Sequence, residues 1–156
     1  MHNNIKKSIR NAELHEIPFL SNLAIQSKSY WGYDRDFINQ CKPLLTIHPE
    51  EISKTHIYLM EVNSSIIGFY QLKKIDSETI DLDKLFVIPD AIGNGFGSHL
   101  MDHAKELAQK LGFTKITIES DPNATKFYEK FGSKFKGYTK SPIDPLRKLP
   151  NYILEL

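Results

Sequence analysis

Cysteine is almost absent from this chain of 156 residues, in which Cys41 is the only one. A single thiol cannot form an internal disulfide, so the fold cannot depend on one. Long apolar runs are also missing: none follows residues 1–7, and none approaches the roughly 20 residues that span a bilayer. These absences exclude a disulfide scaffold, predict no membrane partner and favour a reducing cytoplasm.

An excess of charge of one sign is missing too. Lys and Arg number 20 against 19 Asp and Glu, which leaves a net charge of +1. A net charge this small gives no long-range attraction for polyanions, so we expect no nucleic-acid partner. Any anionic ligand must be bound by a local group of donors or cations. Repeats and Gly/Ser-rich linkers are also lacking, so the length predicts a single domain over residues 1–156.

Apolar periodicity predicts alternating strands and helices. The predicted strands are residues 5–10, 55–62, 66–73, 80–88, 114–119, 133–139 and 151–155, the last with Pro150 at its start. The predicted helices are one from Glu13 to before Gly32, a short one capped by Asp34 and followed by Pro43, a long one ended by Gly112, and a short one from Asp121 to Phe131. This order indicates a mixed α/β (α+β) fold.

A glycine-rich turn joins a hydrophobic strand to the long amphipathic helix. It contains Gly93, Gly95 and Gly97. Glycines leave backbone N–H groups unobstructed, and at a helix N-terminus such groups favour phosphate oxygens. The turn is therefore a candidate anion site.

Three other kinds of turn share part of this pattern. A P-loop requires Lys and then Ser or Thr where Ser98 and His99 stand, which excludes it. A dinucleotide site is closer, because Gly93-x-Gly95-x-x-Ser98 misses that fingerprint by one small residue and Glu119 lies about 20 residues onward. Against it, residues 89–92 separate strand from glycine, and a second nucleotide-binding half is lacking. A plain structural turn is the third.

Two segments together resemble the GNAT superfamily of acetyl-CoA-dependent N-acetyltransferases. The first reads LFVIPDAIGNGFGSHLM, from Leu85 to Met101, and the second reads ESDPNATKFYEKFG, from Glu119 to Gly132. The order of elements over the whole chain is similar as well. One position departs from the family: Ile92 stands where Arg or Gln is usual, so backbone amides rather than a side chain are expected to contact pyrophosphate there.

The resemblance implies a fold and a reaction. The fold would be a mostly antiparallel twisted sheet of about seven strands with a splayed parallel pair, flanked by about four helices. The reaction would transfer an acetyl group from acetyl-CoA to the primary amine of a small molecule or peptide, by direct attack in a ternary complex, since Cys41 has no recognisable base beside it. The alternative is a non-catalytic module of the same fold that binds or senses acyl-CoA.

The resemblance also implies which residues contact the coenzyme. Tyr128 would donate a hydrogen bond or proton to the leaving sulfur, and its alternative role is packing beside Phe127 and Phe131. An N–H near Val87 would polarise the thioester carbonyl. The predicted coenzyme-binding positions are Phe86, Val87, Ile92, Gly93, Asn94, Gly95, Phe96, Gly97, Ser98, Asn123 and Tyr128.

Three carboxylates are candidates for the base that deprotonates the amine. Asp81 and Asp83 share a strand face by the period of two, and Glu119 stands at a strand end. Most such carboxylates are merely solvated or paired. The amine could also arrive neutral without a dedicated base.

The acceptor is predicted to contact four residues. Tyr30, Trp31 and Tyr33 follow the first helix and could form a pocket, or simply pack over the edge of the domain. Arg147 could bind a substrate carboxylate, or remain solvated. His99 and a second histidine four residues on lack a third ligand, so we expect no metal. The sequence leaves open whether the chain forms a homodimer.

Overall fold

The structure, a computed structural model, describes residues 6–156. Its strands are β1 (Lys7–Asn11), β2 (His56–Val62), β3 (Ser65–Lys74), β4 (Thr79–Val87), β5 (Lys115–Glu119), β6 (Lys134–Lys140) and β7 (Lys148–Glu155). Its α-helices are α1 (Ile17–Ser29), α2 (Arg35–Leu45), α3 (Glu51–Lys54), α4 (Phe96–Lys110) and α5 (Thr125–Lys130). Short 3-10 helices at Leu14–Glu16, Pro89–Ala91 and Pro122–Ala124 precede α1, α4 and α5. Ile5, predicted to begin the first strand, lies outside the described residues.

The strands pair in the order β1-β2-β3-β4-β5-β7-β6. Strand β4 pairs with β5 in parallel, whereas β1 with β2, β5 with β7 and β6 with β7 are antiparallel. This arrangement confirms the predicted fold class, a mostly antiparallel seven-stranded sheet with one parallel pair. Within residues 6–156, no helix is both long and apolar enough to cross a bilayer.

The chain divides into two compact units. Unit 1 contains the described residues up to Gln71 together with Lys84–Ala104, and unit 2 contains Leu72–Asp83 and Lys105–Leu156. Strands β3 and β4 and helix α4 contribute residues to both units. The predicted single domain over residues 1–156 stays a prediction.

Unit 1 buries side chains of α1 and of the strands β2 and β3. The apolar spacing of α1 is the predicted one, and Leu20, Leu23 and Ala24 are buried. Strands β2 and β3 are joined by Asn63 and Ser64, whose φ values of 50° and 69° are the pair of positive angles that a two-residue hairpin turn requires. A two-residue hairpin turn therefore joins these strands.

Helix α2 corrects one prediction. Asp34 is its N-cap as expected, accepting a 2.8 Å hydrogen bond from the Phe37 N–H. Pro43, predicted to follow the helix, lies inside it, because α2 continues to Leu45. Proline lacks only its own N–H, and the next backbone bond, from Thr46 N–H to the Lys42 carbonyl at 3.0 Å, still forms. Burial of Leu45 also favours the extra turn.

Unit 2 contains the strands that follow α4. Strand β5, predicted over residues 114–119, alternates as a half-buried strand should, with Ile116 and Ile118 buried. Strand β7 begins at Lys148, three residues earlier than predicted, so Pro150 lies within the strand instead of at its start. Proline lacks only its own N–H, and the Pro150 carbonyl still accepts a 2.8 Å hydrogen bond from the Ser120 N–H.

The last strand in the sheet order, β6, contains a bulge. Phe135 pairs with Tyr152 and Gly137 with Asn151, so Lys136 is an extra residue without a partner of its own in this register. Gly137 has a φ of +119°, a conformation that side-chain-bearing residues rarely adopt. The bulge therefore depends on a glycine at that position.

Candidate active site

The glycine turn lies in unit 1, directly before α4. Gly93 and Gly95 have φ values of +90° and +79°, and a Cβ added at either would meet no atom within 4 Å. Glycine is therefore needed there for its backbone conformation and not for space. Gly97 lies inside the first turn of α4.

The amides around this turn are divided between two uses. The Asn94 N–H donates to the Ala91 carbonyl at 3.4 Å, and its side-chain amide donates to the same oxygen at 3.2 Å. The first backbone bond of α4 runs from the His99 N–H to the Gly95 carbonyl at 3.2 Å. Helical geometry gives the N–H groups of Phe96, Gly97 and Ser98 no acceptor within the helix, so they can bind an anion.

Strand β4 extends beyond its parallel partner. The β4–β5 register covers Thr79 to Leu82, whereas β4 continues to Val87. Phe86 and Val87, both predicted to contact the coenzyme, lie on this extension. Backbone groups past the end of a ladder can pair with an extended ligand.

Gly68 on β3 allows close packing against β4, and sequence reasoning missed it. A Cβ there would lie 2.8 Å from the Phe86 carbonyl oxygen and 2.9 Å from Leu100 Cδ1. Only glycine fits this approach of β3 to β4 and α4. A glycine in the middle of an apolar strand was the available signal.

The three candidate bases lie together in unit 2. Asp81, Asp83 and Glu119 line one pocket of about 420 Å³. Its other lining residues are Leu82, Thr117, Ile118, Lys136, Asn151, Tyr152 and Ile153. The spacing argument for Asp81 and Asp83 is consistent with this placement, and their catalytic role stays a prediction.

Asp81 is less exposed than the other two carboxylates. Burial is the main cause that raises its pKa above the ordinary value, opposed by the hydrogen bond from Thr117 and reinforced by the charges of Asp83 and Glu119. Asp83 forms an ion pair with Lys73 at 3.6 Å. A raised pKa makes the ionised carboxylate of Asp81 a better proton acceptor.

Glu119, at the end of β5, is held by a neighbouring strand. Its Oε2 accepts a 2.8 Å hydrogen bond from the Thr139 hydroxyl. The residue itself is exposed. This environment resembles that of an ordinary surface carboxylate.

Tyr128 lies in α5 and is 8% exposed. Its ring packs edge-on against Phe127, with centroids 5.0 Å apart. Burial raises the pKa of the phenol well above its ordinary value, and the charges of Asp121 and Asp81 raise it further. The group therefore stays protonated at any physiological pH and keeps an O–H that can donate a hydrogen bond.

Asn123 and Arg147, predicted to contact coenzyme and acceptor, both bind Asp121. The Asn123 backbone N–H and side-chain amide donate to Asp121 Oδ1 at 2.8 and 3.0 Å. Arg147 Nη2 donates to Asp121 Oδ2 at 3.1 Å. Their contacts with ligands stay predictions.

The three aromatic residues predicted to contact the acceptor follow α1 in unit 1. Tyr30 and Trp31 are 50% and 43% exposed and pack edge-on, with centroids 5.0 Å apart. Tyr33 packs against Phe37, with ring centroids 4.6 Å apart. Their exposure permits contact with an acceptor, which stays a prediction.

A buried polar chain in unit 1 was not predicted at all. Lys84 is 5% exposed, and its Nζ donates to Gln71 Oε1 at 3.2 Å. Gln71 in turn donates to Glu51 at 3.2 Å and to the Thr55 hydroxyl at 3.1 Å. A signal was available, because Lys84 continues the period-two series of buried residues Ile80 and Leu82.

Comparison with known proteins identifies the family. The sequence model of the Acetyltransferase (GNAT) family matches residues 18–133. The chain belongs to the GNAT acetyltransferase family. This confirms the resemblance drawn from the glycine turn and the segment around Tyr128.

Relatives of this GNAT chain include two curated proteins named peptidyl-lysine N-acetyltransferase YjaB. The one from Salmonella typhimurium is 40% identical over 67 residues and the one from Escherichia coli K12 is 39% identical over 67 residues. Each match covers 43% of this chain and 43% of the relative, so the chain spans less than half the length of the curated relatives that it matches.

Solved structures of the family share the fold of this GNAT chain. A GCN5-related N-acetyltransferase from Rhodopseudomonas palustris is 19% identical, with a TM-score of 0.79 and 100% of each chain covered. The PaiA N-acetyltransferase from Thermoplasma acidophilum, solved in complex with coenzyme A, is 19% identical, with a TM-score of 0.76 over 94% of this chain and 98% of that one.

Proposed function

We propose that the chain is an N-acetyltransferase that moves the acetyl group of acetyl-CoA to a primary amine. The observation that carries the proposal is the turn before α4, in a chain that belongs to the GNAT family. Gly93 and Gly95 adopt positive φ values there, and the first turn of α4 follows at once. Amides at a helix start suit the pyrophosphate of a coenzyme.

The amides of Phe96, Gly97 and Ser98 would hold the pyrophosphate. Asn94 contributes less, since its N–H and side chain are already directed to the Ala91 carbonyl. The part of β4 beyond its parallel partner, with Phe86 and Val87, would pair with the amide groups of the pantetheine arm. A β4 N–H would also polarise the thioester carbonyl.

Asp81 would accept the proton of the attacking amine. The amine nitrogen forms a bond to the carbonyl carbon, the carbon–sulfur bond breaks, and the sulfur leaves with the electron pair. Tyr128 would donate a hydrogen bond or proton to that sulfur, so the products are an amide and a free thiol. Asp83 and Glu119 are weaker candidates for the base, because both are exposed and Asp83 is also paired with Lys73.

The acceptor would be a primary amine of a peptide or small molecule. The pocket beside Asp81 offers carboxylates that attract an ammonium group, and its volume of about 420 Å³ is sufficient for an alkyl amine. The names of the two curated relatives add lysine-containing peptides to the candidates.

The proposal is tested by thiol release with acetyl-CoA and a panel of amines that includes lysine peptides. We expect amine-dependent thiol release, with the transferred mass found on the amine by mass spectrometry. Asp81→Asn should lower kcat about 100-fold, whereas Asp83→Asn should change it less. Calorimetric binding of coenzyme A without thiol release for any amine would instead support the non-catalytic alternative.

A further inference from the structure

Arg147, in the loop before β7, is tied to the start of the segment that carries Tyr128. The side chains of Arg147 and Asp121, 3.1 Å apart, are only 16% and 15% exposed. The other oxygen of Asp121 accepts the two hydrogen bonds from Asn123. One carboxylate therefore joins the 3-10 turn before α5 to the loop before β7, in a shielded setting where ion pairs matter more than on the surface.

The backbone around Arg147 is itself well anchored. Its N–H donates to the Asp144 carbonyl at 2.9 Å, and its carbonyl accepts from the Ser141 N–H at 2.8 Å. The Ser141 hydroxyl accepts from the Ile143 N–H at 3.2 Å. The guanidinium is thus presented from an ordered loop, which makes it a fixed support for Asp121.

The ion pair between Arg147 and Asp121 also affects the electrostatic field at the Tyr128 phenol. Asp121 is the charged group with the largest effect on Tyr128, and Asp81 is the other one that acts on it. A guanidinium on Asp121 offsets part of the negative field at the phenol, which favours donation of its proton.

We propose that Arg147 is a positioning residue for the transfer reaction. By holding Asp121 it fixes the start of α5 and so the direction of the Tyr128 hydroxyl. The inference rests on the proposed function, and it gives Arg147 a role different from the substrate contact that the sequence predicts. A residue that acts through another should lose its effect when that other is removed.

The test compares Arg147→Gln in the unaltered chain and in a Tyr128→Phe background. We expect kcat to fall about 10-fold in the first case, with the Kd for coenzyme A within about twofold, and no further fall in the second. Arg147→Lys keeps the charge and should recover part of kcat. Lys148→Gln removes an exposed cation one residue away and should leave kcat unchanged.

Amide hydrogen exchange supplies a readout that needs no activity. Exchange at residues 123–128 should quicken in Arg147→Gln and stay unchanged in Lys148→Gln. An unchanged kcat in Arg147→Gln, or an equal loss in both backgrounds, would overturn the inference. Absence of thiol release by the unaltered protein would instead overturn the proposed function and the catalytic part of the inference with it, while the exchange data would still decide whether the ion pair holds α5.

Discussion

The hydroxyl of Thr117 on β5 donates a 2.6 Å hydrogen bond to Asp81 on β4, and the two residues are direct partners in the parallel register. This bond opposes the burial that raises the pKa of Asp81. It therefore sets how readily the proposed base accepts a proton.

Removing this bond should shift the pH dependence of the reaction. A base works only when ionised, so kcat/KM falls as the pH drops through its pKa. Thr117→Val removes the contact that lowers the pKa of Asp81, so the acid limb of the profile should move to higher pH. The measurement is kcat/KM against pH with one amine.

The matched control for this change is Thr139→Val, which removes the hydroxyl from Glu119 instead. If Glu119 were the base, the control would move the acid limb and Thr117→Val would not.

The raised pKa of Asp81 also makes the stability of the fold depend on pH. Because folding raises this pKa, the stabilisation that Asp81 contributes is present at low pH and is lost as the pH rises through the folded-state pKa. Asp81→Asn should therefore unfold at a higher temperature than the unaltered chain near neutral pH.

Tyr128→Phe should lower kcat about 100-fold and leave coenzyme affinity within about twofold. The ring and its packing on Phe127 are retained, so the loss would report the hydroxyl alone. Turnover and calorimetric Kd for coenzyme A are the measurements. Tyr138→Phe, which alters an exposed tyrosine on β6, is the control and should behave as the unaltered chain.

Gly95→Ala should weaken coenzyme binding and destabilise the fold by about 1–2 kcal/mol, because an alanine at φ +79° is strained. Gly112→Ala is the matched control, with a φ of +89° and equally open surroundings. It should cost similar stability and leave the Kd for coenzyme A unchanged. Equal losses of affinity in the two variants would argue against a coenzyme site at the turn.

Gly68→Ala should destabilise the folded protein for a different reason, the lack of space for a side chain. The new Cβ would lie 2.8 Å from the Phe86 carbonyl oxygen, a backbone atom that cannot rotate away. Overpacking of this kind costs about 1–3 kcal/mol, which thermal unfolding would detect. An unchanged unfolding midpoint would show that β3 and β4 separate more easily than their packing indicates.

The sequence predicted the elements better than it predicted their ends. Spacing and the Asp34 cap located α1 and α2, but Pro43 was predicted to follow a helix that contains it, and Pro150 to start a strand that begins two residues earlier. In each case neighbouring backbone bonds tolerate the single missing N–H, which local reasoning cannot foresee. The family was recognisable because the glycine turn and the segment around Tyr128 are both continuous in sequence.

The connections among site residues were less predictable. The pairing of Arg147 with Asp121 joins residues 26 apart, and the bond from Lys84 to Gln71 depends on the register of β3 against β4. Such contacts depend on tertiary structure, which a single sequence does not reveal. The difference between prediction and structure is largest for Arg147, because the sequence alone suggested a solvated or substrate-binding guanidinium.

The bulge at Lys136 has a consequence for how the protein behaves at high concentration. Strand β6 ends the sheet, and a straight terminal strand would present a row of donors and acceptors to another molecule. The extra residue interrupts that row, and Lys134 and Lys140 add charge on either side. The bulge that Gly137 permits therefore disfavours edge-to-edge pairing of β6 with a strand of another molecule.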